Sequence, residues 1–361
     1  MSVTDIDGRF AAREPLTLKR YDQYARKDNF HPYYHEGAAD YESVAFSRYG
    51  EAADVLHLED VTVPNPGPHH IRVRVAACGL NPADWGLCLG LFADQLPRGI
   101  GLEVAGVVDA VGEAVTDVRV GERVLGVPDF VHYPSAGAAD SAILSHWTPV
   151  PQGLDLLAAS ALPMAVETAF RSLESLGVTA GQTLLVHGAG TMMGFAAVQI
   201  ALLRGARVIA TAGDTFAERL RALGATVTPY GAGMVARVRD LSGGAPDLIL
   251  DTAPVSGVLP ALVSIAGGDA RRVLTITDFA AAADLGVRTS FDGAPPARYA
   301  DIAMRYDVLG QFAQLAAQGR FSVPVARTFA LEEWRDALEL SQSGGARGKL
   351  VLLPASSTAV D

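Results

Sequence analysis

Thr183 to Gly213 reads TLLVHGAGTMMGFAAVQIALLRGARVIATAG, and the interpretation of this stretch decides the fold. It opens with an apolar run, Thr183–Val186, of the length of a buried parallel strand. A glycine-rich turn follows, with Gly188, Gly190 and Gly194. Phe195–Leu203 is apolar almost all round, which suits a helix covered on several sides, and Gly205 stops it. Arg207–Thr211 reads as a second strand. The unit is strand, turn, helix, strand, about the length of a dinucleotide-binding βαβ. Its chemistry is physical. Glycines let the backbone approach a pyrophosphate, and the N–H groups and dipole at the helix start attract its negative charge. A glycine turn between apolar runs is also an ordinary tight turn. Here the spacing from Gly190 to Gly194 is one residue longer than in G-x-G-x-x-G, with Thr191 between.

The whole chain sets bounds around this stretch. Its 361 residues predict about two domains, and 49% hydrophobic residues supply sizeable cores. A formal net charge of −11 argues against nucleic acid or an anionic membrane as partner. The longest apolar runs are broken by Gly, Arg or Asp, so no membrane span is expected. Two cysteines, Cys78 and Cys88, and no basic–apolar–small leader predict a reduced, cytoplasmic protein.

Residues 1–42 differ in kind: charged and polar, with aromatics but no steady period. His31, His35 and Glu36 have no spacing that fixes a metal geometry, so the segment is read as an arm. It carries Phe30, Tyr33, Tyr34 and Tyr41, more aromatics than a solvating tail holds. The stretch around Phe30–Tyr34 is therefore expected to pack on the folded body or on a second subunit.

From Ser43 the character changes. Val44–Ser47, Val55–Val63 and Ile71–Ala77 read as strands, and Gly101 to Val127 as short strands turned by glycines, together a β-rich, barrel-like module. Leu154–Leu176 reads as two helices with Pro163 near their junction. After the nucleotide unit come a helix over Phe216–Leu223 and strands at Asp247–Asp251, Arg272–Thr277 and Val287–Phe291. A long helix over Ala303–Gly319, a helix over Leu331–Leu340 and a closing strand Lys349–Leu353 complete the chain. Strands alternating with helices predict a parallel, doubly wound sheet.

Taken in order, these residues resemble the medium-chain dehydrogenase/reductase superfamily, and within it the zinc-independent quinone oxidoreductase and enoyl reductase branch. GLNPAD at Gly79–Asp84 looks like that branch's N-P-x-D segment, and GLEVAGVVDAVGEAVTDVRVGERVLG at 101–126 resembles its G-x-E-x-x-G-x-V stretch and following G-D-R-V strand. ALPMAVETAF at 161–170 is similar to its helix with a Thr-Ala pair, LLVHGAGTMMG to its cofactor turn, and ARGKLVL at 346–352 to its terminal Gly-Lys strand. The resemblance covers about 43–354. It implies an α/β protein: a Rossmann doubly wound parallel sheet domain, 166–300, inserted in a β-rich GroES-like barrel catalytic domain, 43–165, which 301–361 completes. It also implies a homodimer that pairs sheet edges. Zinc alcohol dehydrogenases of the superfamily carry Cys where this chain has Asn81 and His where it has Leu102. Leu binds no metal, Asn is a poor zinc ligand, and two cysteines cannot make a four-cysteine lobe, so no metal is expected.

The cofactor expected is NADP(H). The resemblance places Gly188, Gly190, Thr191, Met192, Met193 and Gly194 at its pyrophosphate, and Asp251, Thr252, Ala253, Thr275, Ile276 and Thr277 at strand ends where open α/β sheets bind ligands. The second strand ends Thr211-Ala212-Gly213, and Ala212 stands where an NAD-selective site places an acid for the ribose 2′-OH. Arg219 is a candidate cation for a 2′-phosphate and Tyr230 lies beside the adenosine or covers the sheet edge, while Asp214 is contrary evidence. Lys349 contacts the cofactor or merely starts a strand. Asn81 hydrogen-bonds a substrate oxygen or the cofactor, or forms a turn, and Thr168 brings a hydroxyl near the nicotinamide. Asp84 caps a short helix begun at Pro82 or reaches the substrate pocket, and Trp85 walls that pocket or packs. His187 reads as structural.

The activity expected is NADPH-dependent, zinc-independent hydride transfer to a quinone or α,β-unsaturated carbonyl. Two other functions remain open from the sequence: a metal-free carbonyl or biosynthetic reductase with a bulky substrate, and a non-catalytic nucleotide-binding module.

Overall fold

The computed structural model of the chain describes residues 40–92, 96–291 and 302–355. The arm expected over 1–42 lies almost entirely outside these residues, as does the packing expected of Phe30–Tyr34. The chain divides into two compact units, one holding described residues 165–291 and the other the described residues on both sides of it in sequence.

The discontinuous unit is built on β-structure. In chain order it contains β1 (Asp40–Phe46), a one-turn helix α1 (Ala52–Val55), β2 (His57–Thr62), β3 (Ile71–Leu80), α2 (Pro82–Cys88), β4 (Arg98–Gly99), β5 (Glu103–Val111), β6 (Arg123–Pro128), β7 (Ser141–Pro149) and α3 (Leu156–Ser160). β3 pairs with β5 and also with β7, so β3-β5-β6-β7 closes on itself as a barrel, as the resemblance implies. Closure leaves no free edge among these four strands. β1 lies between β2 and β4 in a separate antiparallel sheet. The strand expected over Val55–Val63 is shortened to β2, since Val55 belongs to α1 and buried Leu56 is that helix's C-cap. Ser141–Pro149, to which the sequence reading assigns no element, is the strand that closes the barrel.

The other unit carries the doubly wound sheet. α4 (Pro163–Leu176) leads into β8 (Thr183–His187), α5 (Met192–Leu203), β9 (Arg207–Thr211), α6 (Asp214–Ala222), β10 (Thr226–Thr228), α7 (Met234–Ser242), β11 (Leu248–Asp251), α8 (Leu259–Ile265), β12 (Val273–Thr275), α9 (Phe279–Leu285) and β13 (Arg288–Thr289). All pairings in this sheet are parallel, in the order β10-β9-β8-β11-β12-β13. All five β8 residues are buried, as a strand covered on both faces must be. Leu185, Ile209, Ile249 and Val273 from the sheet share one core with Val238, Leu259, Leu262 and Ile265 from the helices. The chain winds outward from β8 to β9 and β10, then returns to β11 on β8's other side. The switch point therefore lies between the C-terminal ends of β8 and β11, where open α/β sheets bind ligands.

Back in the discontinuous unit, α10 (Leu309–Ala317), β14 (Val325–Ala330), α11 (Trp334–Gln342) and β15 (Lys349–Leu353) follow. β15 pairs with β3, so Leu350 stands opposite Leu80 and the final strand extends the barrel sheet. The helix expected over Ala303–Gly319 is shorter: a 3₁₀ turn, Tyr306–Val308, precedes α10. The buried Tyr306 ring packs 4.8 Å from that of His146 and anchors the turn. Val287–Phe291 contributes two ladder residues only.

Candidate functional site

Each unit holds a candidate site of its own. In the parallel-sheet unit the glycine turn joins β8 to α5. Thr191 is the N-cap of α5, its hydroxyl accepting from Gly194 N at 3.0 Å, so the helix starts at Met192, earlier than the sequence suggests. Thr191 Oγ1 also donates to Thr252 Oγ1 at 3.1 Å. The single hydrogen of Thr252 Oγ1 is in turn shared between the carbonyls of His187 (3.0 Å) and Gly188 (2.9 Å). This hydroxyl chain ties the β8 and β11 loops together at the switch point, and it gives Thr191 a physical reason to stand where a glycine is usual.

The glycines divide by what a side chain would meet. A Cβ on Gly194 would lie 2.5 Å from Gly188 O and 2.6 Å from Thr252 Oγ1, and one on Gly188, whose φ is +78°, would lie 2.6 Å from Ala253 N. Packing alone demands these two. A Cβ on Gly190 would meet nothing nearer than 3.6 Å, a carbon of Phe216. Its bare backbone is not required by the protein's own packing, and it fits the close approach of a dinucleotide pyrophosphate to the start of a twelve-residue helix.

Thr211 is fully buried at the end of β9, its hydroxyl bonded to His187 Nδ1 (2.8 Å) and to Gly188 N (3.1 Å). Burial holds His187 neutral, its imidazole pushed down to about 4, so it lines the site without charge. A cavity of about 370 Å³ opens beside it, lined among others by Tyr230, Gly233, Met234, Val255 and Val258. Tyr230 and Val255 are 60% and 54% exposed, unusual for such side chains, and both flank this cavity. The Tyr230 hydroxyl lies 3.6 Å from where a Gly213 Cβ would be. Ala212 is buried and Arg219 is exposed on α6. Asp214 begins α6, where its charge suits the helix N-terminus. At the end of β11, Asp251 accepts from Thr275 Oγ1 at 2.9 Å, and burial pushes its carboxyl up to about 6. Thr277 Oγ1 donates to Ala253 O at 2.9 Å, and Ile276 N to Asp251 O at 3.1 Å. Met192 and Met193 are half-buried in the first turn of α5, and Thr168 Oγ1 donates to buried Glu167 at 3.3 Å.

The barrel unit holds a buried polar cluster. Asn81 follows β3 at the N-cap position of α2, 5% exposed. Its Nδ2 donates to Glu103 Oε1 at 3.0 Å, and its Oδ1 accepts from Lys349 Nζ at 2.7 Å. Lys349 Nζ also pairs with Glu103 Oε1. Glu103 Oε2 accepts from Met164 N at 2.8 Å, and a Cβ on Gly79 would lie 2.6 Å from Glu103 Oε1, so the carboxylate is enclosed. Lys349 is 3% exposed, committed to Asn81 and Glu103 rather than presented to a ligand. The ammonium fills the two oxygens that a cation would need, so this donor set does not fit a zinc ion. Among the described residues, no group of three or more His, Cys, Asp or Glu could hold a metal.

Asp84 differs from the substrate-pocket expectation. It is fully buried, and its oxygens accept from the backbone N–H groups of Asn81 (2.6 Å), Gly101 (2.7 Å) and Leu102 (3.1 Å), which is the capping alternative. Burial pushes its carboxyl up to about 7 against the pull of those bonds. Trp85 is 6% exposed and donates from Nε1 to Ser341 at 2.9 Å, a packed position. Glu103 is the residue sequence reasoning missed: it stands in the quoted Gly-x-Glu stretch, yet nothing local shows that it pairs with a lysine 246 residues away.

Residues 67–141 match the family described as alcohol dehydrogenase GroES-like domain, and residues 223–352 the one described as zinc-binding dehydrogenase. The chain is similar to a quinone oxidoreductase of Lama guanicoe, 36% identical over 184 residues, covering 49% of this chain and 54% of that protein. It is 40% identical over 158 residues to the spectinabilin polyketide synthase system protein NorB of Streptomyces orinoci, covering 44% of this chain and 7% of that protein. The matched region spans about half the length of the quinone oxidoreductases it resembles. Among solved structures, an alcohol dehydrogenase superfamily protein from Novosphingobium aromaticivorans superposes with a TM-score of 0.72 at 26% identity, over 87% of this chain and 99% of that one.

Proposed function

The chain belongs to the medium-chain dehydrogenase/reductase superfamily, in its quinone oxidoreductase-like branch, and we propose that it is an NADPH-dependent reductase of quinones or α,β-unsaturated carbonyls that works without zinc. The observation that carries this reading is the orientation of the Asn81 amide. Glu103 accepts one Nδ2 hydrogen and Lys349 engages Oδ1, so the second N–H is left as a donor for an oxygen that gains negative charge. Family membership implies a nicotinamide cofactor, and the turn with its bare Gly190 fits one. Gly188, Gly190, Thr191, Met192 and Gly194 would hold its pyrophosphate, and the cavity beside Tyr230 and Val255 its adenosine. Ala212 offers no carboxylate against a 2′-phosphate, and Gly213, Tyr230 and the exposed Arg219 favour one.

The bound cofactor supplies hydride. A conjugated acceptor receives it at the carbon far from oxygen, so the charge spreads over an enolate or hydroquinone anion. The Asn81 N–H donates to that oxygen, and the Lys349 ammonium on the far side of the amide polarises it and strengthens the donor. The delocalised anion then takes its proton from solvent. A simple alcohol or ketone would leave a localised alkoxide that this neutral donor stabilises poorly. We also propose a homodimer and a cytoplasmic setting, which the family supports.

The test is NADPH and NADH oxidation over a panel of quinones and enones, with and without chelator. Efficient turnover of enones or quinones, NADPH preference and chelator insensitivity are expected. Zinc-restored activity after chelation, or oxidation of simple alcohols alone, would overturn the reading.

A further inference from the structure

His187 reads from sequence as structural, yet its side chain is placed like a ligand contact. Side chains two residues apart on a strand share a face. Leu185 of β8 packs in one core with Met234, Val238, Leu259 and Leu262 of α7 and α8. His187, two residues further on, faces the same helices at the strand's C-terminal end. There it meets the cavity of about 370 Å³ instead of more core. It is 3% exposed and lines that cavity with Met234, Val255, Val258 and Ala261.

Its neighbours decide which ring nitrogen carries the hydrogen. Thr211 Oγ1 has two partners, Gly188 N at 3.1 Å and His187 Nδ1 at 2.8 Å. A peptide N–H can only donate, so the hydroxyl's own hydrogen goes to Nδ1. Thr211 is fully buried, and the opposite arrangement would leave its hydrogen without an acceptor. Nδ1 therefore accepts, and a neutral imidazole then carries its hydrogen on Nε2. Burial keeps the ring neutral, pushed down to about 4. Nε2 is bonded to none of the described residues, and it is not sealed in as the unpartnered polar atoms of the core are. A fixed, uncharged N–H donor thus stands at the cavity's edge.

The rest of the lining says what would meet that donor. Apart from the Tyr230 hydroxyl its side chains are apolar, and none is charged. Such walls suit a flat heterocycle, whereas a phosphate belongs at the helix start beside Gly190. On a purine, the groups able to accept from a neutral N–H at the ring edge are the ring nitrogens.

We infer that the Nε2–H of His187 donates to a ring nitrogen of the adenine base, which makes His187 a base-recognition residue of the nucleotide site. That assignment rests on the reading of this cavity as the adenosine site, and the test separates the two.

The probes are ADP and its 1-deaza, 3-deaza and 7-deaza analogues, each with one ring nitrogen replaced by C–H. They are titrated by calorimetry into the full chain and into His187→Asn and His187→Gln. Asparagine keeps an acceptor for Thr211 but is too short to put a donor at the Nε2 position, which the glutamine amide reaches. With the wild type, one analogue is expected to bind about tenfold more weakly than ADP, because its C–H leaves the imidazole N–H unpaired. The other two stay within about threefold of ADP. In His187→Asn, ADP weakens to the level of that one analogue and the difference between them vanishes, and His187→Gln restores most of it. A purely structural histidine would instead weaken all four ligands together. Three analogues equal to one another on the wild type overturn the inference and leave the adenosine site standing. So does a discrimination that His187→Asn keeps. If neither ADP nor NADPH binds, the nucleotide reading fails and the inference falls with it. Should the variants not fold, a crystal structure of the wild type with ADP decides: a ring nitrogen about 3 Å from His187 Nε2 is expected, and a base more than about 4 Å from it overturns the assignment.

Discussion

The Lys349 ammonium lies 2.7 Å from the Asn81 amide oxygen, inside a barrel wall where both side chains are almost fully buried. This contact fixes which end of the amide faces which neighbour, since an ammonium can only donate and the Glu103 carboxylate can only accept. A cation at Oδ1 makes the remaining amide hydrogen a stronger donor.

Lys349→Met is therefore expected to lower kcat about 10- to 100-fold, with the KM for NADPH little changed, because the Asn81 amide loses both its fixed orientation and its polarisation. It also strands Glu103 as a buried charge, at a cost of about 3–5 kcal/mol. The double variant Lys349→Met/Glu103→Gln should recover much of the stability and none of the activity. Recovery of both would show that the lysine serves the fold alone.

Gly190 and Gly194 give opposite expectations from one chemical change. Gly190→Ala adds a methyl that meets nothing closer than 3.6 Å, so Tm should hold while the KM for NADPH rises about tenfold or more. Gly194→Ala drives a methyl to 2.5 Å from a carbonyl oxygen, so Tm should fall by several degrees whatever the cofactor does. Thermal melts of both variants, with and without NADPH, check this. An equal Tm loss in both would remove the argument that the bare backbone at Gly190 serves a ligand.

The nucleotide turn was legible because its signals are local: an apolar strand, glycines at fixed offsets and an apolar helix lie within thirty residues. Lys349–Leu353 and Arg207–Thr211 were legible for the same reason. What was not legible is long-range. Glu103 acquires its role only when β15 pairs beside β3 and carries Lys349 to it. Arg98 stands in the stretch 85–100, where the sequence shows no chemistry, yet it is buried in β4 where that strand pairs with β1. Ser141–Pro149 mixes Ser, His and Thr with apolar residues and is a strand because the barrel needs closing, not because its own period says so. Asp84 carried two readings from sequence, and three backbone donors decided between them.

Ala212→Asp restores a carboxylate at the end of β9, beside Gly213 and the Tyr230 hydroxyl. It would accept from a ribose 2′-OH and repel a 2′-phosphate. The ratio of kcat/KM for NADPH over NADH should drop about 10- to 100-fold, mainly through KM. A ratio that does not move would place the 2′-position elsewhere.

Asp84 has its carboxyl raised to about 7 by burial, against an unfolded value near 3.8. A group raised in this way favours the folded state fully below its unfolded pKa. As pH climbs from about 4 to 7 the unfolded chain releases this proton while the folded chain keeps it, so that stabilisation declines and is gone above the folded value. Asp84→Asn cannot ionise and removes this slope. It also replaces an acceptor with an N–H that confronts Asn81 N and costs stability at every pH. Denaturant midpoints at pH 4.5, 6 and 8 should therefore show the wild type losing stability relative to the variant as pH rises, with the difference between them narrowing. A gap that stays constant or widens would mean that the three backbone donors hold Asp84 ionised throughout, as an N-cap carboxylate paired with peptide N–H groups otherwise would be.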